Sequence, residues 1–226
     1  MNPSGAVSAE ERERAAEVVR RLEGVLPGAR IALDFADDVQ LLVSVILSAQ
    51  CTDARVNQVT PALFARFPDA AAYAAARPQA LWRYVRSCGL YRSKSRNIVA
   101  AMRAVASEHG GCVPRERTAL EALPGVGRKT AGVVLIHLGV GDGFPVDTHV
   151  GRVSRRLGFT RQERPDRVEE DLMRLLPCET WGKAHQLLVW HGRRTCRARA
   201  PDCHGCALAE LCPKIGVASA ALGKRR

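Results

Sequence analysis

Leu123-Pro124-Gly125-Val126-Gly127-Arg128-Lys129-Thr130-Ala131 is a turn with two glycines that opens an apolar helix. Glycine allows backbone conformations and close approaches that a side chain would prevent. The N–H groups at a helix start carry positive partial charge and bind phosphate. No Asp or Glu lies between Glu121 and Asp142, so no acidic residue in this stretch opposes an anion. The stretch therefore predicts a phosphate-binding turn, with Lys129 in the first turn of the following helix.

A carboxylate follows this turn, in Val146-Asp147-Thr148-His149, eighteen residues after Lys129. An uncharged amine can attack carbon and form a Schiff base, and a carboxylate can stabilise developing positive charge and move protons. The helix start, the adjacent Arg128 and an apolar helix that shields the amine from water would all favour the uncharged form. Two simpler interpretations remain open: Lys129 as a phosphate contact, and Asp147 as an ordinary helix N-cap.

The chain is strongly basic. Its 226 residues carry a net charge of +11, and most of the excess lies from His149 onward. This asymmetry favours a polyanionic partner such as nucleic acid, although a soluble surface rich in arginine would look similar. The N-terminus has no signal-peptide pattern, and no apolar run approaches the roughly 18 residues that span a bilayer. We expect a cytoplasmic, nucleoid-associated monomer with no membrane contact.

Four of the eight cysteines lie within seventeen residues near the C-terminus: Cys196, Cys203, Cys206 and Cys212. Thiolates so close in sequence are typical ligands of one metal centre, and their spacing alone fits either zinc or an iron–sulfur cluster. Such a centre would fix a loop whose guanidinium groups can contact phosphates, those of Arg193, Arg197 and Arg199. The other cysteines are predicted to be small buried hydrophobic residues: Cys51, Cys88, Cys112 and Cys178.

The hydrophobic periodicity is helical almost throughout and predicts an all-α fold. Capping boxes are expected at Ser8 with Glu11 and at Thr118 with Glu121, an N-cap at Asp37 or Asp38, and a helix end at Gly110-Gly111. The predicted helices run from Ser8 to near Pro27, over 39–50, 53–66, 70–76, 79–86, 93–109, one turn at 118–121, 128–138, after Asp147, after Pro165, and over 181–192. We expect residues 31–141 to form one domain, and residues 1–30 to join 142–226 in a second.

These motifs together resemble a known family, the bacterial endonucleases III of the helix-hairpin-helix DNA glycosylase superfamily. The resemblance covers about residues 10–215. It rests on Leu47-Ser48-Ala49-Gln50, Gly89-Leu90-Tyr91, the turn at 123–131, Val146-Asp147-Thr148-His149 and the four clustered cysteines. It implies two helical domains with a DNA cleft between them: a six-helix domain at 31–141 that contains the hairpin, and an iron–sulfur domain at 1–30 plus 142–226.

The resemblance also implies an activity. Such a protein removes oxidised pyrimidines from double-stranded DNA and then cleaves the abasic site by β-elimination, through a Schiff base on Lys129 with help from Asp147. It implies a 4Fe-4S cluster on the four cysteines.

The resemblance also implies which residues contact DNA. Gln50 would fill the space left by the extruded nucleotide, and Leu90 would wedge the opposite strand. The remaining expected DNA contacts are Gly125, Val126, Gly127, Arg128, Thr130, His149 and the three loop arginines, and Ser48 could line the pocket. From the residues alone, Gln50 as a helix C-terminal residue and Leu90 as a core residue are the simpler interpretations.

Two alternative functions are left open. An adenine DNA glycosylase of the same superfamily would share the cysteine spacing, and Gly132 is the residue expected there after Thr-Ala. Against it, Lys129 is present and Val45 stands where a catalytic Glu is expected. A non-catalytic DNA-binding module with a zinc centre is the other alternative, and it would form no covalent complex with abasic DNA.

Overall fold

The structure is a computed structural model that describes residues 7–218. Within that range it contains helices and no strand, which confirms the all-α prediction. The α-helices are α1 Ala9–Val25, α2 Asp38–Ser48, α3 Asp53–Arg66, α4 Ala70–Ala74, α5 Pro78–Val85, α6 Tyr91–Glu108, α7 Arg117–Ala122, α8 Arg128–His137, α9 Thr148–Arg156, α10 Pro165–Leu175 and α11 Trp181–Arg194, with short 3₁₀ turns at Arg86–Cys88 and Cys178–Thr180. None of the described helices is long and apolar enough to cross a bilayer.

The contacts divide the chain into two compact units, and the first comprises residues 31–142. Its centre is α2, in which every residue from Leu41 to Leu47 is buried. A helix that is buried all round must pack on several sides, and α2 contacts α3, α6 and α8. The unit holds seven α-helices, which is the number predicted from the periodicity and one more than the six that the family resemblance implies.

The second unit is formed by residues 1–30 and 143–226, of which 1–6 and 219–226 lie outside the described residues. In this unit α1 contacts α10 and α11, and α9 packs against α11. Three buried side chains of α1 follow helical spacing, Ala15, Val18 and Leu22. This apolar stripe is the physical reason that the N-terminal helix packs with helices from the C-terminal half of the chain.

Several helix ends follow the predicted capping chemistry. Ser8 and Glu11 form a reciprocal capping box at the start of α1, and Asp37 caps α2. Gly110 and Gly111 both adopt positive φ after α6, as a glycine helix end requires. The predicted capping box of Thr118 with Glu121 is wrong. The N-cap of α7 is Glu116, two residues before Thr118, and it makes no side-chain capping bond.

The prediction for the scattered cysteines is correct for only one of them. Cys88 is buried and Cys51 is half-buried, whereas Cys112 and Cys178 are exposed. Cys112 directly follows the Gly110-Gly111 turn, and Cys178 begins the 3₁₀ turn after α10. Both positions lie in connections between helices rather than on a buried helix face, and this explains their exposure.

Candidate active site and metal centre

The glycine turn before α8 has the signature of a type II β-turn. Val126 N–H donates to the carbonyl of Leu123 at 3.0 Å, with Pro124 and Gly125 between them and Gly125 at φ +82°. Pro at the second position and Gly with positive φ at the third are the residues this turn demands. The side chains of Leu123 and Val126 are buried and anchor the turn in its unit. The side chain and the N–H of Val126 are thus both engaged within the protein.

The start of α8 is open to solvent. Gly127 is the N-cap, makes no side-chain capping bond, and has no atom within 4 Å of the place where a Cβ would lie. Lys129 lies in the first turn, and its side chain is exposed. The expected shielding of this amine by the apolar helix is therefore absent, because the buried residues of α8 are those of the opposite face, including Ala131, Val134 and Leu135.

Gln50 and Leu90 are exposed residues with strained backbones. Only four described non-glycine residues have left-handed φ, and Gln50 (54°) and Leu90 (44°) are two of them. Leu90 is 61% exposed, and Gln50 lies beyond the end of α2 at Ser48. The simpler interpretation of Leu90 as a core leucine is therefore wrong. Gln50 does lie at the C-terminal end of α2, directly after the C-cap Ala49, as the simpler interpretation predicts. The hydroxyl of Ser48 donates to the carbonyl of Val45 at 2.8 Å, which occupies its proton.

Asp147 caps α9 as the simpler interpretation predicts: its Oδ1 accepts the N–H of Val150 at 2.7 Å. Within the described residues Oδ2 of Asp147 accepts no hydrogen bond.

His149, two residues after Asp147, contacts an arginine: a guanidinium nitrogen of Arg152 lies 3.2 Å from Nδ1 of His149. Because a guanidinium only donates, Nδ1 accepts and the neutral ring carries its proton on Nε2. A Cβ on Gly192 would lie 3.0 Å from the Cβ of His149, so this glycine makes room for the imidazole.

The four clustered cysteines line one pocket, together with apolar side chains such as Val153, Leu157 and Leu208. Three N–H groups donate to their sulfurs: the Arg156 guanidinium to Cys196 at 3.3 Å, and the Leu208 and Lys214 amides to Cys206 and Cys212 at 3.4 Å. Burial raises the pKa of the Cys203, Cys206 and Cys212 thiols. A bound cation would reverse this preference, because coordination deprotonates a thiol.

Two arginines of α9 hold the loop that follows Cys196. The guanidinium of Arg156, a buried side chain, donates to the carbonyls of Arg197 at 2.7 Å and Ala198 at 3.0 Å. Arg152 donates to the carbonyl of Cys196 at 3.1 Å and to that of Gly192 at 2.8 Å. These contacts fix the backbone of the loop, in which Arg197 and Arg199 are exposed. Arg193 is exposed as well, but it lies in the last turn of α11, before the loop.

Sequence reasoning missed three organising cations: Arg152, Arg156 and Lys94. Lys94 is 5% exposed and donates to the carbonyls of Leu47 and Cys88. The partners of all three include backbone carbonyls, which have no sequence signature. A weak signal existed for Lys94 alone, since it falls on the inward side of an amphipathic helix.

Known proteins share these features over most of the chain. Residues 43–178 match the family model described as the HhH-GPD superfamily base excision DNA repair protein. Endonuclease III of Synechocystis is 48% identical over 91% of this chain and 94% of its own, and that of Escherichia coli K12 is 41% identical over 87% and 93%. The chain belongs to the endonuclease III family. This family consists of DNA glycosylases with AP-lyase activity that act in base excision repair.

Solved structures agree with this family. A trapped endonuclease III–DNA covalent intermediate superposes with a TM-score of 0.82 at 40% identity, over 90% of this chain and 96% of that one. A thermostable thymine-DNA glycosylase shares the fold, with a TM-score of 0.80 at 21% identity over 89% and 96%. The first match is to an endonuclease III joined covalently to DNA, and this argues against the non-catalytic module considered from the sequence.

Proposed function

We propose that this endonuclease III family member excises oxidised pyrimidines from double-stranded DNA and cleaves the resulting abasic site, with Lys129 as the nucleophile. One observation carries the proposal: a primary amine is exposed in the first turn of the hairpin helix, beside a glycine N-cap that leaves room for a phosphate. The covalent endonuclease III–DNA intermediate supports a mechanism that passes through a protein–DNA bond.

The proposed chemistry begins with the free electron pair of Lys129 Nζ. Nζ attacks the sugar C1′, and the C1′–base bond breaks as the base leaves with its electron pair and takes up a proton. Ring opening gives a Schiff base, loss of the C2′ proton breaks the 3′ C–O bond by β-elimination, and water then releases the lysine. The amine must be uncharged to attack. Because Lys129 is exposed in the free protein, we propose that the bound DNA supplies the shielding from water.

Asp147 is proposed to stabilise the positive charge that develops on the sugar as the base departs. Its use as an N-cap supports this role, because one oxygen held by Val150 N–H fixes the position of the carboxylate while the other remains able to act. Asp147→Asn tests the role with little structural disturbance, since asparagine caps helices equally well. We expect DNA binding and thermal stability to be retained and most base excision to be lost. Unchanged excision would remove Asp147 from the mechanism.

The proposed DNA contacts fall into two groups. Gln50 and Leu90 would fill the gap left by the extruded nucleotide, a role that suits exposed side chains on strained turns. Phosphates would be bound by the hairpin at Gly125, Gly127, Arg128 and Thr130, by His149, and by Arg193, Arg197 and Arg199. Val126 would contribute through the turn that it anchors. The partner is duplex DNA that contains an oxidised pyrimidine or an abasic site, bound by a monomer of this chain.

A 4Fe-4S cluster is proposed on Cys196, Cys203, Cys206 and Cys212. The four cysteines line one pocket together with apolar side chains such as Val153, Leu157 and Leu208. Backbone N–H groups donate to the sulfurs of Cys206 and Cys212, and such hydrogen bonds are typical of iron–sulfur sites. When bound, the cluster would hold the arginine loop in place.

Borohydride trapping tests the proposed function directly. We expect the purified protein, mixed with duplex DNA containing thymine glycol or an abasic site, to give a covalent complex after reduction. Lys129→Gln should abolish the complex. Lys183→Gln is the matched control, because Lys183 is an exposed lysine paired with Glu23 in the other unit. Trapping that survives Lys129→Gln, or preferred excision of adenine from mispairs, would contradict the proposal.

A further inference from the structure

Lys94 is a buried lysine whose ammonium group lies between two segments of the unit 31–142. Its side chain lies on α6, and Nζ donates to the carbonyl of Leu47 at 2.8 Å and to that of Cys88 at 2.7 Å. Burial lowers the pKa of Lys94, with Cys51 and Cys88 acting in the opposite direction. A lysine is rarely buried unless its charge is compensated, so these two carbonyls account for its location.

Both carbonyls come from the C-terminal ends of helical segments. Leu47 is in the last turn of α2, and Cys88 ends the 3₁₀ turn Arg86–Cys88. The last carbonyls of a helix lack intrahelical partners and carry negative partial charge, so a cation is favoured there. One ammonium group thus satisfies two helix ends at once and ties them together.

The two tied segments lead directly into the two strained, exposed residues. Gln50 follows Leu47 by three positions, and Leu90 follows Cys88 by two, with left-handed φ at both. Leu90 is also the N-cap of α6 and makes no side-chain capping bond. A backbone held in this region by a non-glycine residue persists only when its surroundings fix it.

Two cysteines of the same segments also lie near each other. Burial raises the pKa of the Cys88 thiol to about 11, and the neighbouring Cys51, which directly follows Gln50, acts in the same direction. The two turns therefore come close together here, and the charge-assisted hydrogen bonds of Lys94 Nζ join the segments that lead into them.

We propose that Lys94 is a positioning residue that holds the Gln50 and Leu90 turns at the fixed separation needed to enter a duplex when a nucleotide is extruded. The inference rests on the proposed function, in which these two side chains fill the gap. Lys94 itself touches no DNA, because its ammonium group is buried against backbone carbonyls. Its effect is on the geometry of the residues that do.

Single-stranded and duplex abasic DNA separate this role from general stability. A single strand has no partner strand to wedge and no stack to refill, so the Schiff base chemistry there does not need the two turns. We expect Lys94→Met to lower the single-turnover rate on duplex abasic DNA by about tenfold or more, since small misplacements near a reacting centre have effects of this size. The rate on single-stranded abasic DNA should change by less than about twofold.

Arg103→Met is the matched control. Arg103 lies on the same helix and also donates to two backbone carbonyls, of Ala74 at 2.9 Å and Ala76 at 3.1 Å, but on a different side of the unit. It should leave the ratio of duplex to single-strand rates unchanged. A 2-aminopurine base opposite the abasic site gives an independent signal, because insertion of a side chain unstacks it. Its fluorescence rise on binding should be lost in Lys94→Met and retained in Arg103→Met.

The outcomes are distinguishable. Equal loss on both DNA substrates, or an unchanged ratio in Lys94→Met, would overturn the positioning role while the wild-type trapping stands. If wild-type protein traps neither substrate through Lys129, the proposed function fails first, and this inference with it. Should Lys94→Met not fold, Lys94→Gln takes its place. Its shorter amide reaches one carbonyl at most, and we then expect the duplex rate to fall by about threefold relative to the single-strand rate.

Discussion

At the scale of single residues, Gly125 and Gly127 lie two positions apart and are glycines for different reasons. Gly125 has φ +82°, and a Cβ there would lie 2.6 Å from the Cβ of Asn97. Gly127 has ordinary φ and open space around it. The first glycine is required by the protein itself, and the second leaves space at the helix start for a ligand.

Alanine substitutions should separate these two requirements. Gly125→Ala is expected to lower the free energy of unfolding by about 2 kcal/mol or more, because left-handed strain alone costs roughly 1–2 kcal/mol and the contact with Asn97 adds to it. Gly127→Ala should cost under about 1 kcal/mol and yet weaken binding to duplex DNA that carries a stable abasic analogue. Thermal unfolding and fluorescence anisotropy measure the two effects. Equal destabilisation by both substitutions would contradict this division.

His137, near the end of α8, provides a pH dependence. Burial lowers the pKa of His137 below its usual value of 6.5, against a smaller opposing effect of its hydrogen bond with the Val133 carbonyl. Below pH 6.5 the unfolded chain binds a proton that the folded chain resists, so stability falls as the pH decreases.

We expect His137→Gln to flatten this dependence. Between pH 7 and pH 5 the wild-type protein should lose more unfolding free energy than the variant, by up to about 1.4 kcal/mol for each unit by which the folded pKa is lowered. Urea unfolding at several pH values measures the difference. Parallel curves for the two proteins would show that His137 does not contribute.

At the scale of helices, helix boundaries and caps were predicted best where residues close together in the chain determine them. The range 53–66 of α3 agrees with its prediction to the residue, and the Ser8–Glu11 box and the Asp147 cap follow from side chains close to their partners. The start of α7 was missed because Arg117 donates to the carbonyl of Asp142 at 2.5 Å, twenty-five residues away. A contact between distant segments overrides a local capping pattern.

The difference between local patterns and contacts of distant segments applies to the candidate site as well. Lys129, Asp147 and the clustered cysteines could be selected because their chemistry and spacing are visible in the chain. The exposure of Lys129 and the contacts of Arg156 were not predictable. A buried cation that donates to backbone carbonyls depends on where helices pack, and any residue type can supply the carbonyl.

Arg156 allows a test at the level of this helix and its loop. Arg156→Met removes the donors to Cys196, Arg197 and Ala198 while keeping a long side chain. We expect faster loss of the visible iron–sulfur absorbance in air and weaker DNA binding. Arg164→Met, at an exposed arginine paired with Asp166, is the control and should behave like wild type. Identical bleaching rates in the two variants would show that the loop does not depend on Arg156.

At the scale of the whole molecule, the net charge of +11 predicts salt-dependent binding. Each phosphate neutralised by a cation contributes about −0.9 to the slope of log affinity against log salt concentration. Arg199→Gln should make that slope less steep by about 0.9, the value of one phosphate contact. Arg164→Gln should leave the slope unchanged. Binding titrations at four or more salt concentrations provide the slopes. A slope near zero for the wild-type protein would contradict electrostatic binding.

The cysteine pocket also has a consequence for the order of assembly. All four thiols fall within seventeen residues, so closing a cluster between them restricts only a short loop, at a small cost in chain entropy. The residues that hold this loop are distant in the chain, because Arg152 and Arg156 lie on α9, some forty residues before the loop carbonyls to which they donate. We therefore expect the helices of the apoprotein to fold first, and iron and sulfide to be inserted late and locally. Removal of the iron by a chelator should unfold the cysteine loop and leave the helices folded.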